Sequence, residues 1–565
     1  MGRSQLAPTD GGLRAAREWT IVGGCRLGIE TRAGALPVPN SQHRYERVNQ
    51  VRRNISAAVI ALVLATQTVI LSGSDEHAAN ALEVCDPGEI LGTVQFAVSG
   101  PPTAQADFNR AVALLHSFQY EEAENAFTAL ARANPDMGMA SWGIAMCNYH
   151  PIWGPTTRAD FERGRVAAAH AAILSAPTER ERDYIRAVGM YYENADRLDA
   201  ASRRSAYELT MARLHAHYPK DIEGTVFYAL AILGTAPPVD RTYAHQRQAA
   251  ELLNGVLPLA PNHPGVAHYL IHSLDYPPLA RLALPAARAY ARIAPSSPHA
   301  QHMPSHIFTR LGLWDESIQS NLGAREAARQ LMARTHPGAT HFDGLHAMDY
   351  LEYAYLQIGD DAAAEKVVAD MSAVSKVDIP RYPAAYAFAA TPARYALERH
   401  QWAEAAALKV RPDWFPWEDF PWAEAVIHFA RGLGAARLGD LETARREQER
   451  LAEIRSGLAT AKGDYNWADQ VEVQRRALGA WIARASHQDA EAVAELRSAA
   501  DLEDSTEKHP VTPGAVLPAR EQLGDLLLEL GRPANAATEY ELVLQRSPGR
   551  RNSLRGLEAA QPSGR

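Results

Sequence analysis

The sequence contains few residues of the type that builds disulfide scaffolds or thiolate metal sites. Only three cysteines occur among its 565 residues, namely Cys25, Cys85 and Cys147. This number excludes a dense disulfide framework and a zinc site made of cysteines. Two interpretations of the thiols stay open: Cys85 and Cys147 form a disulfide in an exported protein, or they are separate thiols.

An excess of positive charge is also lacking. The chain has 57 Lys and Arg residues against 66 Asp and Glu residues, which gives a formal net charge of −9, and it contains no dense basic tract. We therefore expect no nucleic-acid partner. The motifs GxxxxGK[ST], GxSxG and HExxH are absent from the sequence. Their absence argues against a P-loop nucleotidase, a serine hydrolase of the elbow type and a zincin protease.

One segment near the N-terminus is strongly apolar. Residues 55–73 read ISAAVIALVLATQTVILSG, with Arg52 and Arg53 before them and Ala79-Asn80-Ala81 after them. This arrangement is typical of a secretory signal over 55–81 that is cleaved after Ala81, and it predicts an exported protein, periplasmic or secreted. A single membrane anchor formed by residues 55–73 is the alternative, since the run is almost long enough to span a bilayer.

The segments on either side of the apolar run have no clear pattern. Residues 1–54 are interpreted as a disordered extension, or as the result of a start site assigned too far upstream. Residues 82–104 are interpreted as a linker. If the signal is cleaved, the chain has no other segment that would contact a membrane.

The C-terminal part of the chain contains a recognisable repeat unit. Residues 519–548 read AREQLGDLLLELGRPANAATEYELVLQRSP, with small residues at Gly524 and Ala536, bulky Leu523 and Tyr540, and Pro548 at the end. Small residues let two antiparallel helices approach closely, and proline ends the second helix. The stretch resembles the tetratricopeptide repeat of bacterial proteins, which implies a helix A, a turn and a helix B.

Weaker copies of this unit occur earlier in the chain, at 118–135, 310–321, 351–371 and 433–451. Most contain a glycine between the two expected helices, as at Gly312, Gly359 and Gly439. We therefore predict an all-α fold, an α-solenoid of tetratricopeptide-type hairpins over 105–550, and a disordered tail over 551–565. The aromatic loop 411–422 is expected to fill a gap between helices, with ligand stacking as the alternative.

Histidines are concentrated in the middle of the chain, because nine of the 21 lie between His263 and His346. In the tetratricopeptide family, positions 2, 5, 9 and 12 of helix A face the concave groove. The resemblance implies that three successive helices direct the following polar residues to one wall: His268, His272 and Asp275; His299, His302 and His306; His346, Asp349 and Tyr353.

Two of these pairs have the spacing of metal ligands. His268 and His272, like His302 and His306, are four residues apart, which on a helix brings their Cβ atoms within about 5–6 Å. Together with His346 they form a predicted site for Zn²⁺, Cu²⁺ or Fe²⁺. Asp349 or Tyr353 would then act as a catalytic acid, base or orienting group. If a helix began at Met303, with Pro304 in its first turn, His302 would precede it and the pair geometry would be lost.

The sequence predicts one function, with its histidine-lined concave centre as the functional surface, and leaves a second function as the alternative. The first is a scaffold that binds a protein or peptide in its concave groove, which tetratricopeptide-type architecture commonly does. The second is a metal-dependent enzyme, a hydrolase or an oxidase, with the histidine site inside the solenoid. The residues expected to line the groove are Trp142, Met146, Tyr149, His150, His299 and Asp275.

Overall fold

The computed structural model describes residues 88–152, 156–174, 176–238, 240–460 and 465–561. These ranges form an α-solenoid of antiparallel helical hairpins. Apart from an isolated parallel bridge between Thr340 and Val377, they contain no β-structure. The predicted extension 1–54 and signal 55–81 lie outside the described ranges, as do Cys25 and Cys85. Among the described helices, none is long and apolar enough to cross a membrane.

Eight helices make up the N-terminal part of the solenoid. They follow an extended segment, 88–103, whose Phe96 is fully buried between the aromatic rings of Phe108 and Trp142. The predicted linker therefore packs onto the helices from residue 88 onward. The helices are α1 (Ala104–His116), α2 (Tyr120–Ala133), α3 (Gly138–Cys147), α4 (Arg158–Ile173), α5 (Glu179–Tyr192), α6 (Ala200–His217), α7 (Ile222–Gly234) and α8 (Ala244–Val256).

The central helices carry the histidine-rich part of the sequence. Two of them are short and are separated by a single residue, Met303. These helices are α9 (Pro264–Leu274), α10 (Leu284–Ile293), α11 (Pro298–His302), α12 (Pro304–Arg310), α13 (Trp314–Thr335), α14 (Phe342–Ile358) and α15 (Asp361–Ser372), with a 3₁₀ turn at Ala280–Ala283.

The C-terminal part continues the same alternation. Its helices are α16 (Tyr382–Glu398), α17 (Trp402–Ala406), α18 (Pro421–Leu438), α19 (Leu441–Ala459), α20 (Trp467–Ala485), α21 (Asp489–Asp504), α22 (Ala519–Glu529), α23 (Pro533–Arg546) and α24 (Arg551–Ala560), with a 3₁₀ turn at Trp417–Asp419. The repeat read from the sequence at 519–548 is the hairpin of α22 and α23, as predicted.

Glycines at two kinds of position make the hairpins possible. Gly359 and Gly439 end α14 and α18 with φ near +83° (82° and 84°), a left-handed conformation that most other residues avoid. Gly524 on α22 faces the ring of Tyr540 on α23, and a Cβ there would lie 2.7 Å from that ring. The helices of this hairpin can therefore pack closely only because Gly524 has no side chain.

The C-terminal end of the solenoid contacts its middle. The Arg550 side chain is fully buried, and its guanidinium binds Glu521 at 2.7 Å and donates to the Tyr353 hydroxyl at 3.2 Å. The Arg551 backbone N–H donates to Gln357 Oε1 on α14 at 2.9 Å. Residues 551–560 were expected to be disordered, but they form α24, because these contacts anchor the start of that helix.

The connection between α21 and α22, which we call the 505–518 segment, contacts three central and N-terminal elements. Glu507 accepts a hydrogen bond from the Tyr243 hydroxyl at 3.0 Å. The Lys508 ammonium lies 3.7 Å from Asp275 at the end of α9. The Tyr350 hydroxyl on α14 lies 2.9 Å from the Thr512 carbonyl oxygen. The C-terminal part of the chain therefore packs against the central helices.

Replacing Arg550 should test whether this return contact stabilises the fold. Arg550→Ala leaves the buried carboxylates of Glu521 and Glu398 without their cation, so we expect the free energy of unfolding to fall by about 3–5 kcal/mol. Urea unfolding followed by circular dichroism measures the change. Arg555→Ala, at an exposed position of α24, is the matched control. Equal stabilities for the two variants would contradict the prediction.

Candidate metal centre

Six histidines from four helices form two neighbouring groups of three, which we together call the histidine centre. His268 and His272 lie on α9, His299 and His302 on α11, His306 on α12 and His346 on α14. Five of these six side chains are buried, and His272 is partly buried. All five residues predicted as metal ligands therefore come together, and His299, which was assigned to the groove wall, joins them.

Pro304 does not disrupt the pair geometry. The helix breaks at Met303, which ends α11 and precedes α12, but Met303 itself has φ −53° and ψ −35°. These are right-handed helical angles, so the chain continues in the same direction through the break. His302 Nε2 and His306 Nε2 lie 3.0 Å apart. The expectation that a helix start at Met303 would separate the two rings is therefore wrong.

The first triad consists of His268, His272 and His299. His268 Nε2 lies 3.0 Å from His272 Nε2 and 3.1 Å from His299 Nε2. The ring of Phe118 packs against all three imidazoles, with centroid distances of 4.4, 5.7 and 5.5 Å. One side of this triad is thus an apolar wall.

The second triad consists of His302, His306 and His346. The ring of His346 lies 4.2 Å from that of His302 and 5.9 Å from that of His306, measured between centroids. The Tyr350 ring contacts all three at 4.8 to 5.1 Å. In each triad, one ligand atom per residue lies within 4.8 Å of the others.

Hydrogen bonds on the Nδ1 side fix the tautomer of three of these rings. His268 Nδ1 donates to the carbonyl oxygen of His116 at 2.6 Å. His306 Nδ1 donates to Asp275 Oδ2 at 3.0 Å. His302 Nδ1 donates to Asn321 Oδ1 at 2.7 Å. In a neutral imidazole the proton on Nδ1 leaves Nε2 with a free lone pair, which is the form that binds a metal.

The Asn321 orientation follows from its other contact. Its Nδ2 donates to the Ser317 carbonyl oxygen at 2.8 Å. Since the amide nitrogen is committed there, the oxygen faces His302. A side chain 19 residues away in the chain and on another helix, α13, therefore determines which nitrogen of His302 carries the proton.

Burial keeps these imidazoles neutral. It lowers the pKa of His268, His272, His302 and His346 well below the ordinary value, and it lowers the pKa of His306 to about 4. Neighbouring histidines lower the pKa further in the first four, because like charges repel. At neutral pH the lone pairs of these rings are therefore available without competition from protons.

The nitrogen separations fit coordination to a shared ion. Two imidazole nitrogens bound at about 2.0–2.1 Å, with an angle of about 90–110° at the metal, lie about 2.8–3.4 Å apart. The three measured Nε2 to Nε2 distances are 3.0, 3.1 and 3.0 Å. Each triad could thus hold one ion with little movement of the rings.

The two triads share a helical turn. His299 of the first triad and His302 of the second are three residues apart on α11, so their Cβ atoms lie about 5–6 Å apart on one face. Besides burial, which is the largest cause, electrostatic interaction with His299 contributes to the lowered pKa of His302, His306 and His346. The triads are therefore close enough to interact electrostatically.

A third cluster, His116, Glu223 and His263, has a different chemistry. His116 Nε2 and His263 Nε2 donate to the two oxygens of Glu223 at 2.8 and 2.9 Å. His263 Nδ1 accepts from the backbone N–H of Val266 at 3.3 Å, and the Tyr269 hydroxyl lies 3.0 Å from His116 Nδ1. Every nitrogen already has a partner, so this cluster is a closed hydrogen-bond network that links α1, α7 and α9.

Asp275 connects the second triad to two cations. Its Oδ1 accepts from Arg310 Nε at 2.8 Å, and its Oδ2 lies 3.0 Å from His306 Nδ1 and 3.7 Å from Lys508 Nζ. Although burial raises the pKa of Asp275, the two cations hold it well below the ordinary value. Asp275 thus stays ionised and orients His306.

The proposed catalytic residues Asp349 and Tyr353 bind arginines. Asp349 Oδ1 accepts from Arg394 Nη1 at 2.5 Å, and the Tyr353 hydroxyl accepts from Arg550 Nη1 at 3.2 Å. Within the described ranges, hydrogen bonds and ring contacts join neither residue to the six imidazoles. Asp349 belongs to a buried ion-pair group with Arg394 and Glu352, whose side chains have no exposed surface.

The other residues expected in the groove lie in the N-terminal core. Trp142 and Met146 on α3 and Tyr149 after it are each 1% exposed. Trp142 packs against Phe96 and Tyr184 among other rings, and the His150 ring lies 4.4 Å from that of Tyr120. These side chains fill the space between hairpins and are not available to a partner at the surface.

Several residues of the centre were not found from the sequence. Tyr350 follows His346 by four residues, so helical periodicity could have indicated it. Asp343 precedes His346 by three residues on the same helix, so the same periodicity could have indicated it. Asn321 and Lys508 carry no such signal, because they come from α13 and from the 505–518 segment. Asp343 lies 3.7 Å from His299 Nδ1, and Lys508 is more than 200 residues from Asp275 in the chain.

Comparisons with known proteins add little about function. No family model matches the chain, and no match is found among curated proteins. Among solved structures, the chain is similar to the TPR domain of P58(IPK), with 11% identity over 81% of this chain and 97% of that chain and a TM-score of 0.21.

Two further similarities are of the same kind. A human IFIT1 dimer with PPP-AAAA is 12% identical over 86% of this chain and 99% of that chain, with a TM-score of 0.35. Yeast Tom70 is 12% identical over 81% of this chain and 95% of that chain, with a TM-score of 0.31. Values this low carry no argument about ligands. The assignment of a tetratricopeptide-like fold therefore rests on the succession of antiparallel helical hairpins itself.

The third cluster gives a test of the distinction between a hydrogen-bond network and a metal site. Glu223→Gln replaces one acceptor oxygen by an N–H₂ group that faces an imidazole N–H, so we expect the free energy of unfolding to fall by about 2–4 kcal/mol. Urea unfolding measures this loss, with the exposed Glu251→Gln as control. Metal content should not change. A loss of bound metal without a loss of stability would show that the cluster is a metal site instead.

Proposed function

We propose that this protein binds a pair of transition-metal ions at the centre of its solenoid, one in each histidine triad. The observation that carries the proposal is the arrangement of tautomers. His302 and His306 both donate through Nδ1, so their Nε2 lone pairs face each other at 3.0 Å. Two lone pairs at this distance repel unless a cation lies between them, and burial disfavours a proton in that position.

The first triad supports the same conclusion. His268 donates through Nδ1 to a backbone carbonyl, and its Nε2 faces the Nε2 atoms of two other histidines. The Nε2 of His268 has one lone pair, so a hydrogen bond from one of its two neighbours leaves the other nitrogen without a partner there. One metal ion bound by three imidazoles satisfies all three nitrogens at once.

The ligand set favours copper among the predicted metals. Each triad consists of imidazoles alone, whereas non-haem iron(II) oxygenases use two histidines and one carboxylate. Copper(II) binds nitrogen ligands more tightly than the other divalent ions of the first transition series, zinc included. Copper is therefore the first candidate and zinc the second.

Three protein ligands per ion leave an open coordination position. Structural zinc sites are closed by four protein ligands, while catalytic sites keep one position for water or substrate. The proposed centre is accordingly that of an enzyme, an oxidase with copper or a hydrolase with zinc. The shared turn of α11 supports two ions close enough to act on one substrate.

Metal analysis and electron paramagnetic resonance test the proposal together. Purified protein loaded with Cu²⁺ and desalted should retain about two equivalents per chain, one in each three-ligand site. We expect two copper(II) ions held by triads that share a helical turn to couple magnetically, so the signal should be much weaker than the copper content requires.

Variants of single ligands give the control. His272→Ala and His346→Ala each remove one ligand from a different triad, so each should retain about one ion and show the full signal of an isolated copper(II). His336→Ala, at a half-exposed histidine, should behave as the wild type. Retention of less than about a tenth of an equivalent of any transition metal by the wild type would end the proposal.

A protein or peptide partner remains a prediction of the tetratricopeptide-like architecture. At the centre, the 505–518 segment already contacts α9 and α14. A partner would therefore bind another surface of the solenoid, and this role is compatible with the metal centre.

We also infer that the protein is exported, because a secretory signal near the N-terminus would direct a bacterial tetratricopeptide-type protein across the membrane. The support is the order of basic, apolar and small residues over 52–81. Expression of the full sequence in a bacterial host should yield a periplasmic protein whose N-terminus is Leu82, which intact-mass analysis measures. Ala81→Arg is the control. It removes the small residue that signal cleavage requires, so the predicted signal 55–81 should stay attached to the protein. An unprocessed wild-type chain in the membrane fraction would instead favour the anchor formed by 55–73.

A further inference from the structure

A cavity of about 160 Å³ lies beside the histidine centre. It is enclosed by the end of α12, the helices α18 and α20, and the 505–518 segment. Part of its wall is aromatic, formed by Tyr386, Trp422, Tyr465, Trp467 and His509. The rings of Trp422 and Trp467 stack with centroids 3.9 Å apart and an angle of 15°.

The size of the cavity corresponds to one aromatic ring. A dry cavity of about 150 Å³ in a protein core is known to hold benzene. Flat aromatic walls favour a flat aromatic ligand, because rings pack face to face or edge to face. The shape and the wall thus favour a ligand with a single ring.

One end of the cavity carries an ammonium with unused hydrogen-bonding capacity. The Lys508 side chain is 14% exposed, and its Nζ donates to the Thr512 carbonyl oxygen at 2.9 Å. The Asp275 carboxylate is 3.7 Å away, which is too far for a direct hydrogen bond. An ammonium has three N–H donors, so a bound acceptor would complete its coordination.

The charges around Lys508 do not balance. Asp275 carries one negative charge and faces two positive charges, Arg310 and Lys508, so the three groups sum to +1. Glu507 also attracts Lys508 and Arg310, but it forms an ion pair with Arg241. With Glu507 and Arg241 included, three positive charges face two negative charges, and the sum is still +1. A buried uncompensated charge is costly, and an anion bound there would remove the cost.

The other cations that line the cavity are already neutralised. Arg520 binds Asp501 and Glu539, and Arg546 binds Asp504. Burial raises the pKa of Glu503 to about 7, so this carboxyl is largely uncharged below neutral pH. The unpaired charge is therefore located at the Lys508 end.

We propose that this cavity binds a small single-ring aromatic carboxylate, with the ring against Trp467 and the carboxylate at Lys508. A single side chain would separate the bound carboxylate from the second triad, because Asp275 contacts both Lys508 and His306. If this carboxylate is the substrate of the metal centre, that role rests on the proposed function. Binding of the carboxylate in the cavity does not require a metal.

Calorimetry on chelator-treated, metal-free protein tests binding with three probes: benzoate, its neutral analogue benzyl alcohol, and acetate, which has the charge but no ring. We expect benzoate to bind at least about tenfold more tightly than either of the others, since tenfold corresponds to about 1.4 kcal/mol and a buried charged hydrogen bond is worth at least that much. Equal affinities for benzoate and benzyl alcohol, or no binding of benzoate, would overturn the inference.

Two variants locate the site. Lys508→Met removes the charge and should reduce benzoate affinity at least about tenfold while leaving that of benzyl alcohol unchanged. Lys376→Met, at an exposed lysine, is the matched control. Trp467→Leu shortens the aromatic wall and should weaken both ring compounds, and it serves as a second probe if Lys508→Met does not fold. Unchanged benzoate affinity in a folded Lys508→Met protein would overturn the assignment.

A second measurement separates this inference from the metal proposal. In copper-loaded wild-type protein, benzoate should shift the copper absorption band, because it perturbs Asp275 and through it His306. Benzoate binding without such a shift would overturn the inference that aromatic carboxylates are substrates of the metal centre. Two bound copper ions without benzoate binding would leave the metal centre intact and end this inference alone.

Discussion

Each buried imidazole in this protein must find partners for two ring nitrogens, and the surrounding helices are arranged around that requirement. Backbone and side-chain oxygens on the outer side take the Nδ1 protons of His268, His302 and His306. The Nε2 atoms are thereby left to face one another in the interior. A hydrogen-bonding constraint at the periphery thus creates a set of converging lone pairs at the centre, which is the chemical basis of a metal site.

The contrast with the His116, Glu223 and His263 cluster shows why proximity alone is not sufficient. That cluster also brings three potential ligands within 4.8 Å. There, however, the protons lie on Nε2 and point at a carboxylate, and the Nδ1 atoms accept. The carboxylate closes the network, and the cluster stabilises the packing of α1, α7 and α9. The position of one proton per ring distinguishes a closed hydrogen-bond network from the arrangement that we propose to bind metal.

The return of the C-terminal hairpins turns an open repeat array into an enclosed centre. Arg550 and Arg551 fix α24 against α14, and the 505–518 segment crosses the inner side of α9 and α14. Burial lowers the pKa values of the imidazoles, and the 505–518 segment brings Lys508 to Asp275. At this point the surface of α9 and α14 is occupied by another part of the same chain.

The sequence by itself determined the helical hairpins and the histidine pairs, because both are local. Helix periodicity, a glycine such as Gly439 at a turn and four-residue spacing all act within one or two turns of helix, so they can be read without the fold. Only the tertiary structure decided that His299 joins the centre, that Asp349 binds Arg394 and that Asn321 and Asp275 set the tautomers. Those facts depend on which helices become neighbours, and contacts between residues tens to hundreds of positions apart leave no periodic trace in a single sequence.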